Sequence, residues 1–248
     1  MIELVHLAKR FDGRVVLDDV NLRIERGETF VIIGMSGTGK TVTLKHIAGL
    51  IDPDEGEVRI AGETMSGADD ATRERLRRMM GVVFQSGALI NWLSVFDNIA
   101  LPLRERRCYS PAEIEAMVHD KLQILGLIEA KFKMPADLSG GMRKRVCLAR
   151  VLVRNPSIIL YDEPTAGLDP VMSRVINMLI RRMKEEFNVT QVVVTHDMHS
   201  AYEIADRIAM LYQGKIIACD VPQRIREMDH PIVRQFITGT VDGPIEVE

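Results

Sequence analysis

Residues 34–41 read GMSGTGKT, a glycine-rich run that ends in a lysine and a threonine. Glycines at this spacing let successive backbone N–H groups turn inward around a phosphate. Lys40 would add a positive charge at the β- and γ-phosphates, and the Thr41 hydroxyl would coordinate Mg²⁺. The alternative is a flexible glycine turn, which the preceding strand pattern and the following helix pattern disfavour. The run therefore predicts a nucleotide site made of Gly34, Met35, Ser36, Gly37, Thr38, Gly39, Lys40 and Thr41.

Two adjacent acids, Asp162 and Glu163, follow the apolar run IILY at residues 158–161. Side chains alternate along a strand, so these two carboxylates point to different places. Acid pairs at strand ends are common and usually only solvated. Downstream of a phosphate-binding loop, however, they are typical of an Mg²⁺ ligand (Asp162) beside a base that orients the attacking water (Glu163).

A serine and two glycines, Ser139, Gly140 and Gly141, stand at the start of a predicted helix. Their free N–H groups and the positive end of the helix dipole would suit a second anion site. Taken alone, the segment is better explained by Ser139 acting as an N-cap. These three residues by themselves leave both interpretations open.

His196 lies in the run Thr195-His196-Asp197 at the end of a β-prone segment. It could donate to a γ-phosphate or link that phosphate to Glu163, while Asp197 could cap the next helix. A lone histidine in such a place is more often structural. The remaining histidines show no metal-ligand spacing.

Composition narrows the class of protein. The 248 residues are 46% hydrophobic and 27% charged, as in a soluble globular protein. A net charge of −3 gives no basic footprint, so no nucleic-acid partner is expected. Three cysteines without a CxxC pair indicate a reducing compartment. No apolar run reaches the ~18–20 residues that cross a bilayer, and the N-terminus lacks a signal-peptide core. We therefore expect a cytoplasmic chain that reaches a membrane through a partner.

Strand and helix patterns alternate along most of the chain, which predicts a parallel sheet with right-handed crossovers. Strands are predicted at residues 2–11, 20–24, 29–33, 57–60, 81–84, 157–161 and 191–195. Helices are predicted at residues 41–50, 71–80 and 170–186.

Residues 85–155 instead have the character of a helical insertion. Ser110-Pro111-Ala112-Glu113 is a capping box with proline at the first helical position. A second helix is predicted to start near Ser139. The tail after about residue 221 has mixed polarity, and its pattern indicates no clear element.

The segments GMSGTGKT, FQ, LSGGM, IILYDEP, GLDP and VTHD, in this order, make the chain resemble the ATP-binding subunits of ABC transporters over essentially its whole length. The resemblance implies an α/β fold, a P-loop NTPase with a RecA-like core, a small antiparallel β-subdomain and an inserted α-helical subdomain. One ABC ATPase domain would span residues 1–248. The catalytic core would be 1–85 and 156–220, the helical subdomain 86–155, and the C-terminal tail 221–248.

The resemblance also implies roles for individual residues, with ATP and Mg²⁺ as the ligands. The nucleotide would contact the loop at 34–41 and Val42, an adenine-stacking Phe11, and, from a second subunit, Ser139, Gly140 and Gly141. Asp169 would lie at the subunit interface beside the nucleotide. The implied metal ligands are Thr41, Gln85 and Asp162, and the implied catalytic residues are the base Glu163, the switch histidine His196 and Gln85.

Two positions depart from the family pattern. Val42 stands where a serine or threonine hydroxyl usually reaches the α-phosphate, and Met142 stands where the signature usually has glutamine. Neither is an Mg²⁺ or base position, so hydrolysis is still expected.

FQSGAL, VFDNIALPLRE and the C-terminal HPIVRQFITGTVDGP resemble the MlaF group, the ATPases of Mla/Mce-type systems that move phospholipids between bacterial membranes. This implies a homodimer at the cytoplasmic face of the inner membrane, bound to an MlaE-type permease. A periplasmic MCE lipid-binding protein and, in some systems, a STAS-domain subunit would complete the assembly. Some of the apolar residues at 89–96 would pack the helical subdomain, and others would form a groove for a permease helix.

The alternatives within transport are the ATPases of polar amino-acid importers and of lipoprotein-release systems, which share every catalytic motif. A rival from another class is a non-transport ABC protein of translation or DNA repair. Such proteins usually carry two nucleotide domains or a long coiled-coil insertion, whereas this chain has one set of motifs.

Overall fold

A computed structural model describes residues 1–85 and 87–245 of the chain. The strands are β1 (Ile2–Phe11), β2 (Arg14–Ile24), β3 (Thr29–Ile33), β4 (Glu55–Ile60), β5 (Glu63–Thr64), β6 (Met80–Val83), β7 (Ile158–Asp162), β8 (Thr190–Thr195), β9 (Arg207–Tyr212) and β10 (Lys215–Asp220). The helices are α1 (Lys40–Ile47), α2 (Asp70–Arg78), α3 (Val95–Arg106), α4 (Pro111–Ile124), α5 (Gly140–Leu152), α6 (Pro170–Phe187), α7 (Met198–Ile204), α8 (Pro222–Glu227) and α9 (Pro231–Thr238).

These strands form two sheets. The larger sheet has the order β10-β9-β3-β8-β7-β6; its pairs from β6 to β9 are parallel, and β9 pairs with β10 antiparallel. The smaller sheet is antiparallel, with the order β2-β1-β4-β5. Crossovers that contain helices join the parallel strands, as the alternating patterns predict. The predicted α/β class with a small antiparallel sheet is confirmed.

Strands β5, β9 and β10 were not predicted from the sequence, and β2 is longer than the strand predicted for it. The alternation of polar and apolar residues predicts a strand at 20–24, but β2 begins at Arg14. Its first half pairs with the end of β1, where Arg14 lies opposite Phe11 across the Asp12-Gly13 turn. Cross-strand hydrogen bonding extends this strand, and the side-chain pattern of the strand alone does not show it.

Three helices, α3, α4 and α5, fill the insertion between β6 and β7. The predicted capping box is confirmed: the Glu113 backbone N–H donates to the Ser110 hydroxyl, and the Ser110 N–H donates to the Glu113 carboxylate at 2.7 Å. The predicted helix near Ser139 is α5, which begins at Gly140.

The central strands separate two hydrophobic clusters. On β7, Ile158 and Leu160 face the cluster shared with the small sheet, whereas Ile159 and Tyr161 face the cluster beneath the helical insertion. Successive side chains point to opposite faces, and a hydrophobic cluster covers each face, so every residue of the strand is buried. This packing holds the carboxyl ends of β3, β7 and β8 at one edge of the sheet.

The C-terminal segment contains two helices, α8 and α9, where the sequence pattern indicated no clear element. A buried amide on α9, that of Gln235, donates to the Val241 and Ile245 carbonyls and accepts from the Ile245 N–H. Residues 241–245 therefore fold back onto α9. Across the residues that the structure describes, no helix combines the length and apolarity required to span a bilayer.

Candidate nucleotide site

The predicted phosphate-binding loop connects β3 to α1, as the flanking patterns require. Two of its glycines lie where a side chain would collide with backbone. A Cβ on Gly34 would come within 2.3 Å of the Leu211 carbonyl oxygen, and one on Gly39, whose φ is 103°, would lie 2.9 Å from the Val16 oxygen. The loop is thus wedged between neighbouring strands, and its shape depends on glycine at these two positions.

Lys40 is the buried cation of this loop, with 6% of its surface exposed. Its Nζ donates to the Gly34 and Met35 carbonyls at 2.7 and 2.8 Å and lies 4.0 Å from Glu163 Oε1. Burial lowers the pKa of Lys40, and the nearby Glu163 and Asp162 carboxylates partly oppose that shift. A phosphate would supply the negative charge that this ammonium needs.

Thr41 and Asp162 come together from elements far apart in sequence. The Thr41 hydroxyl at the start of α1 donates to Asp162 Oδ1 at 2.9 Å, at the end of β7. Burial raises the pKa of Asp162, and the bond from Thr41 partly offsets this rise. Hydroxyl and carboxylate oxygens are hard donors of the type that Mg²⁺ prefers.

These donors fit an Mg²⁺ ion that is shared with phosphate oxygens. Mg²⁺ is usually held by one or two protein groups together with waters and phosphates. Over residues 1–85 and 87–245, no group of three or more His, Cys, Asp and Glu side chains is placed to hold a metal ion by itself. The protein thus offers part of a coordination shell, which a nucleotide would complete.

Glu163 follows β7 directly and is 8% exposed. Its backbone is in the left-handed region, with φ of 47°, which is uncommon for a residue other than glycine. Its Oε2 accepts from the Thr195 hydroxyl at 3.0 Å, and its Oε1 is 2.9 Å from His196 Nδ1. His196 therefore contacts Glu163, as it would have to if it linked Glu163 to a γ-phosphate.

Three aspartate and serine side chains cap helices around the site. Asp197 accepts from the N–H groups of His199 and Ser200 at the start of α7, which confirms its predicted cap. Asp169 caps α6 in the same way and is exposed. Ser139 caps α5 by accepting from the Met142 N–H at 3.3 Å, so the simpler of its two interpretations is met.

A cavity of about 460 Å³ lies over the phosphate-binding loop. It brings together half of the predicted site residues: its lining comprises Arg14, Val16, Ser36, Gly37, Gly39, Lys40, Thr41, Val42, Gln85, Glu163 and His196. The predicted residues outside that lining are Phe11, Gly34, Met35, Thr38, Asp162, Asp169 and the segment Ser139–Gly141. Phe11 is 44% exposed at the end of β1, one turn away from Arg14.

The sequence reasoning missed Arg14 and Val16, which line the cavity. Neither belongs to a motif, and both reach the loop because β2 begins earlier than its residue pattern indicates. The Asp12-Gly13 turn was the available signal, since a hairpin there returns the chain beside the end of β1.

Two further cavities adjoin the helices. One of about 810 Å³ lies on the other side of Glu163 and His196, where residues 165–178 border it. The other, about 390 Å³, lies between α3 and the sheet, and Phe84, Leu101 and Pro102 contribute its apolar lining. Of the apolar residues predicted to divide between packing and groove, Val95 is buried in the core and Trp92 is 80% exposed, but neither lines this cavity.

The sequence model of the ABC transporter family matches residues 17–166, which include the loop, Gln85 and the signature segment. The chain belongs to this family. Its reaction is ATP hydrolysis, and the paired acids lie beside the phosphate-binding loop as that chemistry requires.

Relatives of this ABC ATPase extend over nearly its whole length. The intermembrane phospholipid transport ATP-binding protein MlaF of Haemophilus influenzae is 38% identical over 99% of this chain and 93% of its own. The "Probable ribonucleotide transport ATP-binding protein mkl" of Mycobacterium leprae is 39% identical over 98% of this chain and 70% of its own. A dimeric structure of the ATP-binding cassette MJ0796, bound to ADP and Pi, is 35% identical, with a TM-score of 0.82 over 90% of this chain and 99% of that one.

Proposed function

We propose that this ABC ATPase powers the movement of phospholipid by a membrane permease and works as a homodimer around two Mg-ATP. The observation that carries the lipid assignment is the similarity to MlaF, which covers almost the full length of both chains, including the C-terminal segment. The larger RecA-like core alone would be common to transporters of many substrates. By the same likeness we assign the chain to the cytoplasmic face of the inner membrane.

Lys40 and the loop amides would bind the β- and γ-phosphates. In doing so, the ammonium exchanges its bonds to the Gly34 and Met35 carbonyls for bonds to phosphate oxygens. Thr41, Asp162 and Gln85 would hold Mg²⁺, which when bound neutralises charge on the phosphate oxygens. Val42 has no hydroxyl for the α-phosphate, so its backbone N–H is the contact that remains there.

Glu163 would orient the attacking water and accept its proton. The carboxylate is held at both oxygens, by Thr195 on one and His196 on the other, so its position is fixed before water arrives. Catalysis then depends on positioning and on electrostatic stabilisation of the transferring phosphoryl group. His196, 57% exposed at its side chain, is also free to reach toward the γ-phosphate.

A second copy of the chain would complete each nucleotide site. Ser139, Gly140 and Gly141 are outside the lining of the loop cavity in their own chain. Ser139 is exposed, and its cap leaves the first N–H groups of α5 available to an anion. The dimeric structure of MJ0796, bound to ADP and Pi, supports assembly of this chain into a dimer. Asp169 and Phe11, which are also exposed, would lie at the interface and against adenine respectively.

The cavity lined by Phe84, Leu101 and Pro102 is our candidate for the permease contact. It lies directly after β6, next to Gln85, so a helix inserted there would be linked to the nucleotide site through a few residues. An MlaE-type permease, a periplasmic MCE protein and a STAS-domain subunit are the partners that the MlaF likeness suggests.

Purification of the tagged chain from native membranes, followed by identification of bound proteins and lipids, tests this assignment. We expect a permease, an MCE protein and phospholipid in the complex. In vesicles containing the purified complex, ATP should then drive phospholipid transfer, whereas Glu163→Gln should not. A periplasmic amino-acid-binding protein in the complex would instead establish the importer alternative.

Ribonucleotide transport is a second candidate because the M. leprae relative, named for it, matches 98% of this chain. The same purified complex decides between the two. Uptake of labelled ribonucleotide into complex-containing vesicles, without phospholipid transfer, would replace the lipid assignment.

A further inference from the structure

One face of α5 is turned toward the backbone around Gln85. Lys144, Cys147 and Arg150 follow each other at intervals of three residues, so they share one side of the helix. Each donates to a main-chain carbonyl: Lys144 to Gln85, Cys147 to Gly87, and Arg150 to Gly87 and Ala88. We call Lys144, Cys147 and Arg150 the clamp residues. They join the helical insertion to the chain segment that leaves the nucleotide site.

Lys144 is the clamp residue that also reaches the paired acids. Its Nζ lies 2.6 Å from the Gln85 carbonyl oxygen and 3.3 Å from the Glu163 carbonyl oxygen. The side chain is 8% exposed, and these contacts span 59 and 19 residues of sequence. One ammonium therefore bonds to the backbone of two residues that belong to the site.

The positive charge of Lys144 lies close to the carboxylates of the nucleotide site. Burial lowers the pKa of Lys144, while Cys147 and the carboxylates of Asp162 and Glu163 partly oppose the shift. Lys40 approaches the same Glu163 from the cavity, with its Nζ 4.0 Å from Oε1. Glu163 is thus held between two buried ammonium groups, one on its carboxylate and one on its carbonyl.

The backbone at Glu163 is where such a bond has most effect. A φ of 47° is a sparsely populated conformation for a side-chain-bearing residue, and it persists only when the surroundings hold it. Three hydrogen bonds do so here: the Glu163 N–H donates to the Val194 carbonyl at 2.9 Å, and the Glu163 carbonyl accepts from the Ala166 N–H at 3.2 Å and from Lys144 Nζ at 3.3 Å. Of these, only the bond from Lys144 depends on α5.

We propose that Lys144 is a positioning residue for ATP hydrolysis, which fixes the backbones of Glu163 and Gln85 relative to the signature helix α5. Any movement of α5 would then be transmitted to the carboxylate that orients the water. Lys144 does not touch the nucleotide in this scheme. The proposal rests on ATP hydrolysis, and it is independent of which substrate the permease moves.

The experiment compares Lys144→Met with Arg145→Met in the full-length chain. Arg145 is the next residue of α5, and its Nη1 donates to the carbonyls of Leu125 and Gly126, inside the helical insertion. Both variants remove a cation that bonds to two carbonyls, but only Lys144→Met breaks the link to the site. Steady-state hydrolysis gives kcat and KM for each, and thermal unfolding gives the stability lost.

We expect Lys144→Met to lower kcat by about tenfold or more with KM within about twofold, because a small displacement of a catalytic group is costly. Arg145→Met should lose comparable stability and keep kcat within about twofold. Lys144→Arg, which retains the charge and the donors, should recover part of the rate. If Lys144→Met fails to fold, Lys144→Gln replaces it in the same comparison.

A double-mutant cycle separates positioning of Glu163 from a general effect. With single-turnover rates, Lys144→Met should slow the Glu163→Gln background by a smaller factor than it slows the wild type, since one of the two groups it positions has lost its function. An equal loss in both backgrounds, an unchanged kcat, or an equal loss in Arg145→Met would each overturn the proposal. Because only hydrolysis is measured, a failed lipid assignment would leave the result intact.

Discussion

The starts of α1 and α5 are alike in sequence and different in surroundings. Both bring glycines to a helix N-terminus, and both could bind an anion. The first faces Gln85, Glu163 and His196 across one cavity, so its chain supplies the rest of the site. The second packs its glycines on Leu168 and Met172 and presents Ser139 outward. The start of a helix becomes a catalytic site only when residues of other elements face it. For α5, we propose that the nucleotide and the facing residues belong to a second copy of the chain.

The largest effect on the difference between the two helix starts should come from removing Glu163, the acid that faces α1. Glu163→Gln should lower kcat by about 10²–10⁴-fold, because the amide cannot accept the proton of water. The affinity for ATP should stay within about twofold, since the phosphate cradle is untouched. Steady-state phosphate release and fluorescent-nucleotide titration measure the two quantities. Normal phosphate release would remove Glu163 from the role of base.

Loss of the cation at α1 should weaken binding. Lys40→Ala removes the ammonium from the phosphates, and charged hydrogen bonds of this kind correspond to about a 10- to 100-fold rise in the ATP dissociation constant. Lys215→Ala, at the exposed first residue of β10, is the control for charge alone. Titration of both variants with fluorescent ATP compares their dissociation constants. An unchanged affinity in Lys40→Ala would contradict the assignment of Lys40 to phosphate binding.

The start of α5 can be tested against another serine cap. Ser139→Ala and Ser110→Ala each remove an N-cap bond, so each should lower the free energy of unfolding by about 1 kcal/mol. Only Ser139→Ala should also lower hydrolysis, by about tenfold through one lost phosphate contact. ATP binding to a single chain should be equal in the two. If Ser110→Ala lost as much activity, the α5 effect would be one of stability.

The smallest effect concerns the thiol of Cys147 on α5. Burial raises the pKa of Cys147 to about 11 from its ordinary value of 9.0. A raised pKa in the folded state means that the thiol's contribution to stability is complete below pH 9 and is lost as pH rises through 11. Cys147→Ala should therefore flatten the decline in unfolding free energy between pH 9 and 11. Chemical denaturation across that range measures it, and parallel curves for the two proteins would refute it.

Much of the fold followed from local pattern. The run at residues 30–33 is apolar throughout because it is buried on both faces, and the capping box at Ser110 marks a helix start with its own side chains. The beginning of β2 could not be read in this way. It depends on pairing with β1, and a strand that is half exposed there carries no distinctive alternation.

The residues of the site also differ in whether local sequence could predict them. Lys40, Thr41, Asp162 and Glu163 were predictable because phosphate and Mg²⁺ chemistry demands those residue types beside one another in sequence. Lys144 carried no signal of its own, since in a run of arginine and lysine it resembles a solvated helix face. Its burial arises only when α5 packs against the chain at Gln85, 59 residues away.

The alternation of β7 between two cores has a consequence for insertion and deletion. Ile158 and Leu160 belong to one cluster and Ile159 and Tyr161 to the other, and the same parity directs Asp162 toward Thr41. A shift of β7 by one residue would turn each of its side chains toward the opposite cluster, and it would also exchange the positions of Asp162 and Glu163. Deleting one residue from β7 would therefore disrupt the packing of both cores and the placement of the acids at the same time. In-frame loss of a single codon in this strand should be selected against as strongly as loss of either carboxylate.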